Sequence, residues 1–436
     1  MFFDITNSNY TVHERGMGMT TYPELDDLIL LDGTNYDICS LLQYWMQHDE
    51  DDGFLNPLAG RDGVSTLVEK AESWGLSGNV LQQYIISVLC RGDNEAARVI
   101  EQYGTYGQGI AKVVRHDMEI LWPYLFLKPS DVVGAAYDFL DDYEPTNPKA
   151  SPAFTALQQD LLSCTDAGTA TKALLDHYVR YGRGDLATYM AFRLSDEGKL
   201  IGIDEFPRYQ WDDLIGYEPQ KEKLLTNTLH FVAGKEANNV LLTGARGTGK
   251  STAVKALVNR FHDQGLRLVQ INRDQLHLLP ELLESLCNIR SKKFILFFDD
   301  LSFDEDEKEY KYLKSAIDGG VTAQPKNVVM YATSNRRHLL KETWQDRHDD
   351  LAAEVYRDDS TNESISLSDR FGLILHYGTP TQDEYLAIID HELQKHGISI
   401  PKDKLRVLGV QWEMEHSGRN GRIAQQFVKW YLGNNN

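Results

Sequence analysis

The chain is poor in cysteine, and the few it has are not placed for chemistry. Cys39, Cys90, Cys164 and Cys287 are its four cysteines, and they lie far apart with no C-x-x-C pair. That excludes the usual spacing of a zinc site or a dense disulfide framework and fits thiols of a reducing compartment. Positive charge is also scarce: 44 Lys and Arg face 65 Asp and Glu, a net charge of −21. This balance argues against nucleic acid or an anionic membrane as a partner. No apolar run reaches the ~20 residues that a membrane-spanning helix needs. The opening MFFDITNSNYTVHERG lacks a basic segment followed by an apolar one, so no signal peptide is expected and the expected location is cytoplasmic. What is present is ordinary for a globular chain, with 42% hydrophobic and 25% charged residues over 436 positions. Two or three domains are expected at that length.

The first two hundred residues read as short helices separated by Gly, Pro and Asn. Leu41, Leu42, Trp45 and Met46 recur at helical spacing. Ser77 is the expected cap of a helix carrying Val80, Leu81, Tyr84, Ile85, Val88 and Leu89. Ser151-Pro152 and Asp166 open two more helices, and a further one is expected from about Asp185 to Leu194. His116 and His177 stand alone and receive no role. The polar, turn-rich stretch Ser195–Gln210 reads as a linker.

Beyond it lies VLLTGARGTGKST, Val240 to Thr252. An apolar strand pattern stops at a Gly-rich loop, and a helical pattern starts at the loop's end. This is G-x-x-x-x-G-K-[ST] in strand–loop–helix context, the pattern that cradles phosphates. Gly244, Gly247 and Gly249 allow the backbone of Ala245, Arg246 and Thr248 to turn its amides inward. Lys250 is expected at the β- and γ-phosphates, Ser251 on a magnesium ion, and Thr252 at the start of a helix whose N-terminus favours anions. Further along, the apolar run Phe294 to Phe298 ends in Asp299-Asp300. Carboxylates at that end of a buried parallel strand face a nucleotide cleft. Asp299 is expected to hold the metal and Asp300 to orient or deprotonate the attacking water. A third strand, Asn327–Asn335, ends in Thr333, Ser334 and Asn335. An amide there, that of Asn335, can hold the same water. Arg370 precedes a fourth strand, Leu373 to Tyr377, and Arg419 and Arg422 open the last helix.

Taken together, GARGTGKS, FILFFDD, YATSN and LSDRF, in that order between Trp211 and Leu432, resemble the AAA+ superfamily, and more closely a bacterial domain-of-unknown-function family of AAA+ ATP-binding proteins. The resemblance implies an α/β P-loop domain with a parallel sheet and a C-terminal helical lid, preceded by an all-α N-terminal domain. The boundaries it suggests are 1–200, 201–378 and 379–436. It implies ATP and Mg²⁺ as cofactors, with Ile215, Gly216 and Tyr217 against adenine. It makes Asn335 the sensor-1 residue, Arg370 an arginine finger reaching a neighbour's nucleotide, and Arg422 or Arg419 the lid sensor. A homo-oligomer is therefore implied, with a protein partner met through the helical N-terminal domain. Two departures are visible. Asp299-Asp300 replaces the common Asp-Glu, which implies slow turnover. INRDQLHLLPELL lacks the aromatic–apolar–Gly loop of threading unfoldases. The expected function is an oligomeric ATPase coupling hydrolysis to remodelling or regulation of a protein. The alternatives are a nucleotide-gated switch with little turnover and, against the charge, a DNA-linked initiator or loader.

Overall fold

The computed structural model describes residues 11–12, 20–21, 25–31, 57–148, 151–303, 308–318, 325–335, 370–416 and 418–435. The expected helix near residues 41–46, Cys39 and the segment 336–369 lie outside them. The chain divides into two compact units: Met1–Thr188 with Ile289–Ser291, and Tyr189–Asn288 with Lys292–Asn436.

The first unit is built on α1 (Pro57–Trp74), α2 (Val80–Arg91), α3 (Glu95–Tyr103), α4 (Gln108–Leu121), α5 (Pro152–Ser163) and α6 (Ala167–Tyr181), with shorter turns between them. It also contains a two-residue antiparallel pair, Thr11–Val12 with Thr20–Thr21, in an otherwise helical unit, as expected. Side-chain caps set the helix starts. Ser151 accepts from the Phe154 amide at 3.1 Å, and Asp166 closes a capping box with Thr169. The cap of α2 is Asn79, two residues beyond the expected Ser77. Its Oδ1 accepts the Gln82 amide at 3.1 Å while its Nδ2 donates to the Leu127 carbonyl at 2.8 Å. An amide can do both at once, whereas a hydroxyl at position 77 is too far from the first turn. One apolar cluster fills the unit, with Leu67, Leu81, Ile85, Leu121, Leu157 and Leu174 fully buried. Asp117 is buried beside it and accepts the amides of Ile29, Leu30 and Leu31 at 3.0, 2.6 and 2.9 Å. Those three bonds fasten the 25–31 segment to α4.

The second unit holds a seven-stranded sheet. Its strands are β1 (Ala191–Leu194), β2 (Leu200–Gly202), β3 (Val240–Gly244), β4 (Leu266–Gln270), β5 (Lys293–Phe298), β6 (Val328–Ser334) and β7 (Leu373–Tyr377), in the order β2-β1-β4-β5-β6-β3-β7. All neighbours pair parallel except β1 with β2. The central strands are continuous apolar runs because helices cover both faces. The helices of the sheet are α7 (Glu218–Val232), α8 (Lys250–Phe261), α9 (Leu279–Cys287) and α10 (Lys308–Asp318). Tyr331 sits wholly inside, where its hydroxyl meets Thr228 Oγ1 at 2.8 Å and accepts from Asn227 Nδ2 at 3.1 Å. That locks α7 to β6. Three further helices, α11 (Gln382–Lys395), α12 (Lys402–Glu415) and α13 (Gly421–Asn435), close around Tyr385, Ile389, Leu393, Ile423 and Phe427 to form the lid. This is an α/β P-loop domain with a mostly parallel sheet and a helical lid, as the motifs imply.

The sheet starts earlier than the sequence suggests. The helix expected to run to Leu194 stops at Thr188, and Ala191–Leu194 is a strand. The stretch expected as a linker supplies its antiparallel partner, with Phe192 opposite Gly202. AFRL is too short for periodicity to separate helix from strand. Pairing with β4 and β2 decides it, and the Tyr189 ring lies so close over Gly202 that a Cβ there would approach within 2.1 Å of it.

The parallel register brings the carboxyl ends of β3, β5 and β6 to one edge. Gly244 ends β3 beside Tyr377, with φ at 133°. A Cβ at that position would sit 1.9 Å from the Tyr377 carbonyl oxygen, which is main chain and cannot swing away. Gly244→Ala is therefore expected to lower stability by ~2 kcal/mol or more, through strain and displacement of β7. A urea unfolding curve with an unchanged midpoint would refute it.

Candidate functional site

Between β3 and α8 the chain makes a Gly-rich loop that ends at Gly249, itself at positive φ. Gly247 has φ at 74°, a conformation costly for residues with a Cβ, and the side of Asn420 lies where that Cβ would go, 2.7 Å from Oδ1. Thr248 Oγ1 donates across the loop to the Ala245 carbonyl at 2.9 Å. Lys250 begins α8 and is buried. Its Nζ donates back to the carbonyls of Gly244 and Ala245 at 2.9 and 2.7 Å and to Asn335 Oδ1 at 3.2 Å. Burial pulls its pKa below the ordinary lysine value, and the carboxylates of Asp300 and Asp299 offset part of that. A cation held this way has weak neutral partners that a phosphate oxygen can replace.

Facing the loop are the two carboxylates. Asp299 Oδ1 accepts from Ser251 Oγ at 2.6 Å and from Thr333 Oγ1 at 2.7 Å. Asp300 has φ at 54°, rare for a residue other than glycine, and its amide donates to Thr333 Oγ1 at 2.9 Å. Its carboxylate accepts from Asn335 Nδ2. Lys250, Asn335 and Asp300 thus form one hydrogen-bonded chain across the mouth of the loop. The set of Ser251 hydroxyl and Asp299 carboxylate suits magnesium, a hard cation that takes oxygen ligands and few protein groups. The hydroxyl can keep its proton on Asp299 and still offer a lone pair to a metal.

A cleft of about 850 Å³ runs from this point between the sheet and the lid. Arg246 to Thr252, Asp299, Asp300 and Asn335 line one end. Leu214, Ile215, Gly216 and Tyr217 line the other, opposite Ile388 of α11. Tyr217, also at positive φ, is held by its hydroxyl donating to the Gly378 carbonyl at 2.6 Å and by its ring on Tyr377, 4.8 Å between centroids. An apolar wall with exposed backbone is a suitable seat for a flat base. Three features of this end escape a reading of the sequence. Arg208 and Tyr209, from the supposed linker, line the cleft. So does Asp213, which is joined to the lid by Lys395 at 2.8 Å and His391 at 3.0 Å. Partial burial opposes ionisation of Asp213, but the hydrogen bonds from Lys395 and His391 outweigh it and keep the carboxyl below its usual range. Only the run of two acids before LIGYE hints at this, and its partners lie some 180 residues away.

The lid touches the phosphate loop directly. The Gly421 amide donates to the Gly247 carbonyl at 2.8 Å, and Asn420 caps the start of α13 through the Ile423 amide at 3.0 Å. Arg422 lines the cleft. Arg419 instead pairs with Glu413 at 3.2 Å and does not line it. Arg370 also lies outside the cleft lining and donates to the Asp318 carboxylate at the end of α10. Gly244 and Ala245 serve the loop through their carbonyls. Among the described residues no cluster of His, Cys, Asp and Glu forms a separate metal site. Arg422→Ala is expected to weaken nucleotide binding about tenfold, equal to ~1.4 kcal/mol, while Arg419→Ala changes it little. Titration of both variants with a fluorescent ATP analogue checks this, and the reverse ranking would refute it.

The chain is similar in part to several known proteins. The magnesium-chelatase subunit ChlI, chloroplastic, of Oryza sativa (subspecies indica and japonica) is 34% identical over 122 residues, 27% of this chain and 28% of that one. The match thus spans just over a quarter of those relatives' length. Among solved structures, the Thermotoga maritima RuvB Holliday junction branch migration motor is 21% identical, with 51% of this chain and 64% of that chain covered and a TM-score of 0.34. A FIGL-1 AAA domain in complex with ADP is 17% identical, with 52% and 73% covered and a TM-score of 0.36. Residues 187–435, more than half of the sequence, match the family described as "Protein of unknown function (DUF815)", and the chain belongs to that family.

Proposed function

We propose that this chain binds ATP with Mg²⁺ in the cleft between sheet and lid and hydrolyses it. The observation that carries this reading is the chain from Lys250 through Asn335 to Asp300, laid beside the pair of Ser251 and Asp299. Phosphoryl transfer asks a protein mainly for charge neutralisation and a placed water. Lys250 exchanges two loop carbonyls for β- and γ-phosphate oxygens, and the loop amides surround the same oxygens. Ser251 and Asp299 would hold Mg²⁺, which would neutralise charge on the phosphates. Asp300 accepts a proton from the attacking water, and Asn335, freed from Lys250 by the phosphate, supports that water. Ile215, Gly216 and Tyr217 seat adenine, and Arg422 reports the γ-phosphate to the lid. The carboxylate of Asp300 is one methylene shorter than a glutamate would be, which favours slow turnover.

At the level of assembly, the reading is a homo-oligomer in which Arg370 exchanges Asp318 for a neighbour's γ-phosphate. Turnover would then be coupled to remodelling or regulating a protein partner bound through the helical first unit. The net charge of −21 speaks against nucleic acid as that partner. No described helix is long and apolar enough to cross a membrane. The second reading is a nucleotide-gated switch with little turnover, favoured by the Asp299-Asp300 pair.

The deciding measurements are ATPase rates over a protein concentration series. Lys250→Ala is expected to stay folded and lose nucleotide binding. Asp300→Asn is expected to bind ATP–Mg²⁺ while turnover falls ~10²–10⁴-fold, the range for losing a positioned base. Arg370→Ala should bind ATP yet lose ~10³-fold or more in rate, and mixing it with Lys250→Ala should restore part of the activity. Rates strictly linear in protein with no rescue would retire the oligomeric reading and leave the switch.

A further inference from the structure

Thr333 carries more of the site than its place in a strand suggests. It lies on β6, opposite Leu242 of β3, and is only 2% exposed. Three hydrogen bonds tie it to three consecutive residues after β5. Its Oγ1 meets Asp299 Oδ1 at 2.7 Å and the Asp300 amide at 2.9 Å, and its carbonyl accepts the Leu301 amide at 2.7 Å. The directions are forced. An amide can only donate, so the Asp300 N–H points to the hydroxyl oxygen, and the single hydroxyl proton must go to Asp299. Ser251 donates to that same carboxylate oxygen from the other side. With Oδ1 saturated by two donors, the rotation of the Asp299 carboxylate is fixed. The second bond acts on Asp300, whose backbone sits at φ 54° and needs a partner to stay there.

We infer that Thr333 is a positioning residue that sets both carboxylates at once: it orients Asp299 toward Mg²⁺ and holds Asp300 in the conformation that points its side chain at Asn335. The inference rests on the ATP–Mg²⁺ reading above. Valine at 333 keeps the shape and deletes both side-chain bonds, whereas serine keeps the hydroxyl.

Two titrations test it on the full chain. In one, a fluorescent ATP analogue is bound in EDTA and then in rising Mg²⁺. In the other, ATPase rate is followed against Mg²⁺. Thr333→Val is expected to bind the analogue normally in EDTA and to need about tenfold more Mg²⁺ for half-maximal effect in both titrations, the low end of the effect of losing a partner that orients a metal ligand. Its kcat should fall more than its KM for ATP changes. Thr333→Ser should restore the Mg²⁺ dependence. Unchanged Mg²⁺ dependence in Thr333→Val would overturn the inference. So would loss of binding in EDTA together with a lowered melting temperature, since the role would then be structural. If the unsubstituted protein bound no nucleotide in EDTA or Mg²⁺, the ATP reading itself would fail, and the inference with it. If it bound with Mg²⁺ but did not hydrolyse, the binding titration alone would still decide the role of Thr333.

Discussion

Everything at the cleft depends on where one ammonium group goes. Lys250 is tethered by its backbone to the first turn of α8 and by its charge to the base of the loop that precedes it. A buried cation must be solvated by something, and here main-chain carbonyls and Asn335 do it. The loop therefore holds its curvature around its own lysine. The sheet serves this constraint, because β3, β5 and β6 must run parallel and end level for the loop, the carboxylates and the amide of Asn335 to meet.

How legible this was depended on whether the parts were neighbours in sequence. The phosphate loop and Asp299-Asp300 are contiguous motifs, and their chemistry follows from residue type and from the strand before them. Thr333 was visible only as a strand-end residue, because its role exists only once β6 is known to lie between β3 and β5. Arg419 and Arg422 stand three apart at the same helix start, where the resemblance favours Arg422; in the structure Arg419 pairs with Glu413 and Arg422 lines the cleft. The hairpin of β1 and β2 reads as helix and linker from the sequence alone. Four apolar-biased residues carry no period, and their pairing partner β4 lies about seventy residues on. Asp213 met its lid partners for the same reason of distance, and nothing local could announce them.

The cleft also differs in character along its length. At the phosphate end the groups that matter are backbone amides, hydroxyls and carboxylates fixed by short bonds on rigid strands. At the base end the walls are side chains from a connecting segment and from α11, joined by the partly buried contacts of Asp213 with Lys395 and His391. Long side chains lose rotamer freedom to hold such contacts. On the ATP reading proposed above, the rigid end suits discrimination between phosphate states, and the soft end suits admission and release of the base.

The bond between the Gly421 amide and the Gly247 carbonyl joins the first residue of the last helix to the middle of the phosphate loop without any side chain. Both partners are glycines, and a Cβ on Gly421 would already crowd that same carbonyl at 3.1 Å. A peptide plane cannot rotate one of its ends alone, because its six atoms move together. If the loop peptide turns its amide to meet an anion, its carbonyl must turn as well, and the lid helix either follows or lets go. The joint thus behaves as a crank between two rigid pieces, with a single planar unit transmitting a local reorientation to a fifteen-residue lever.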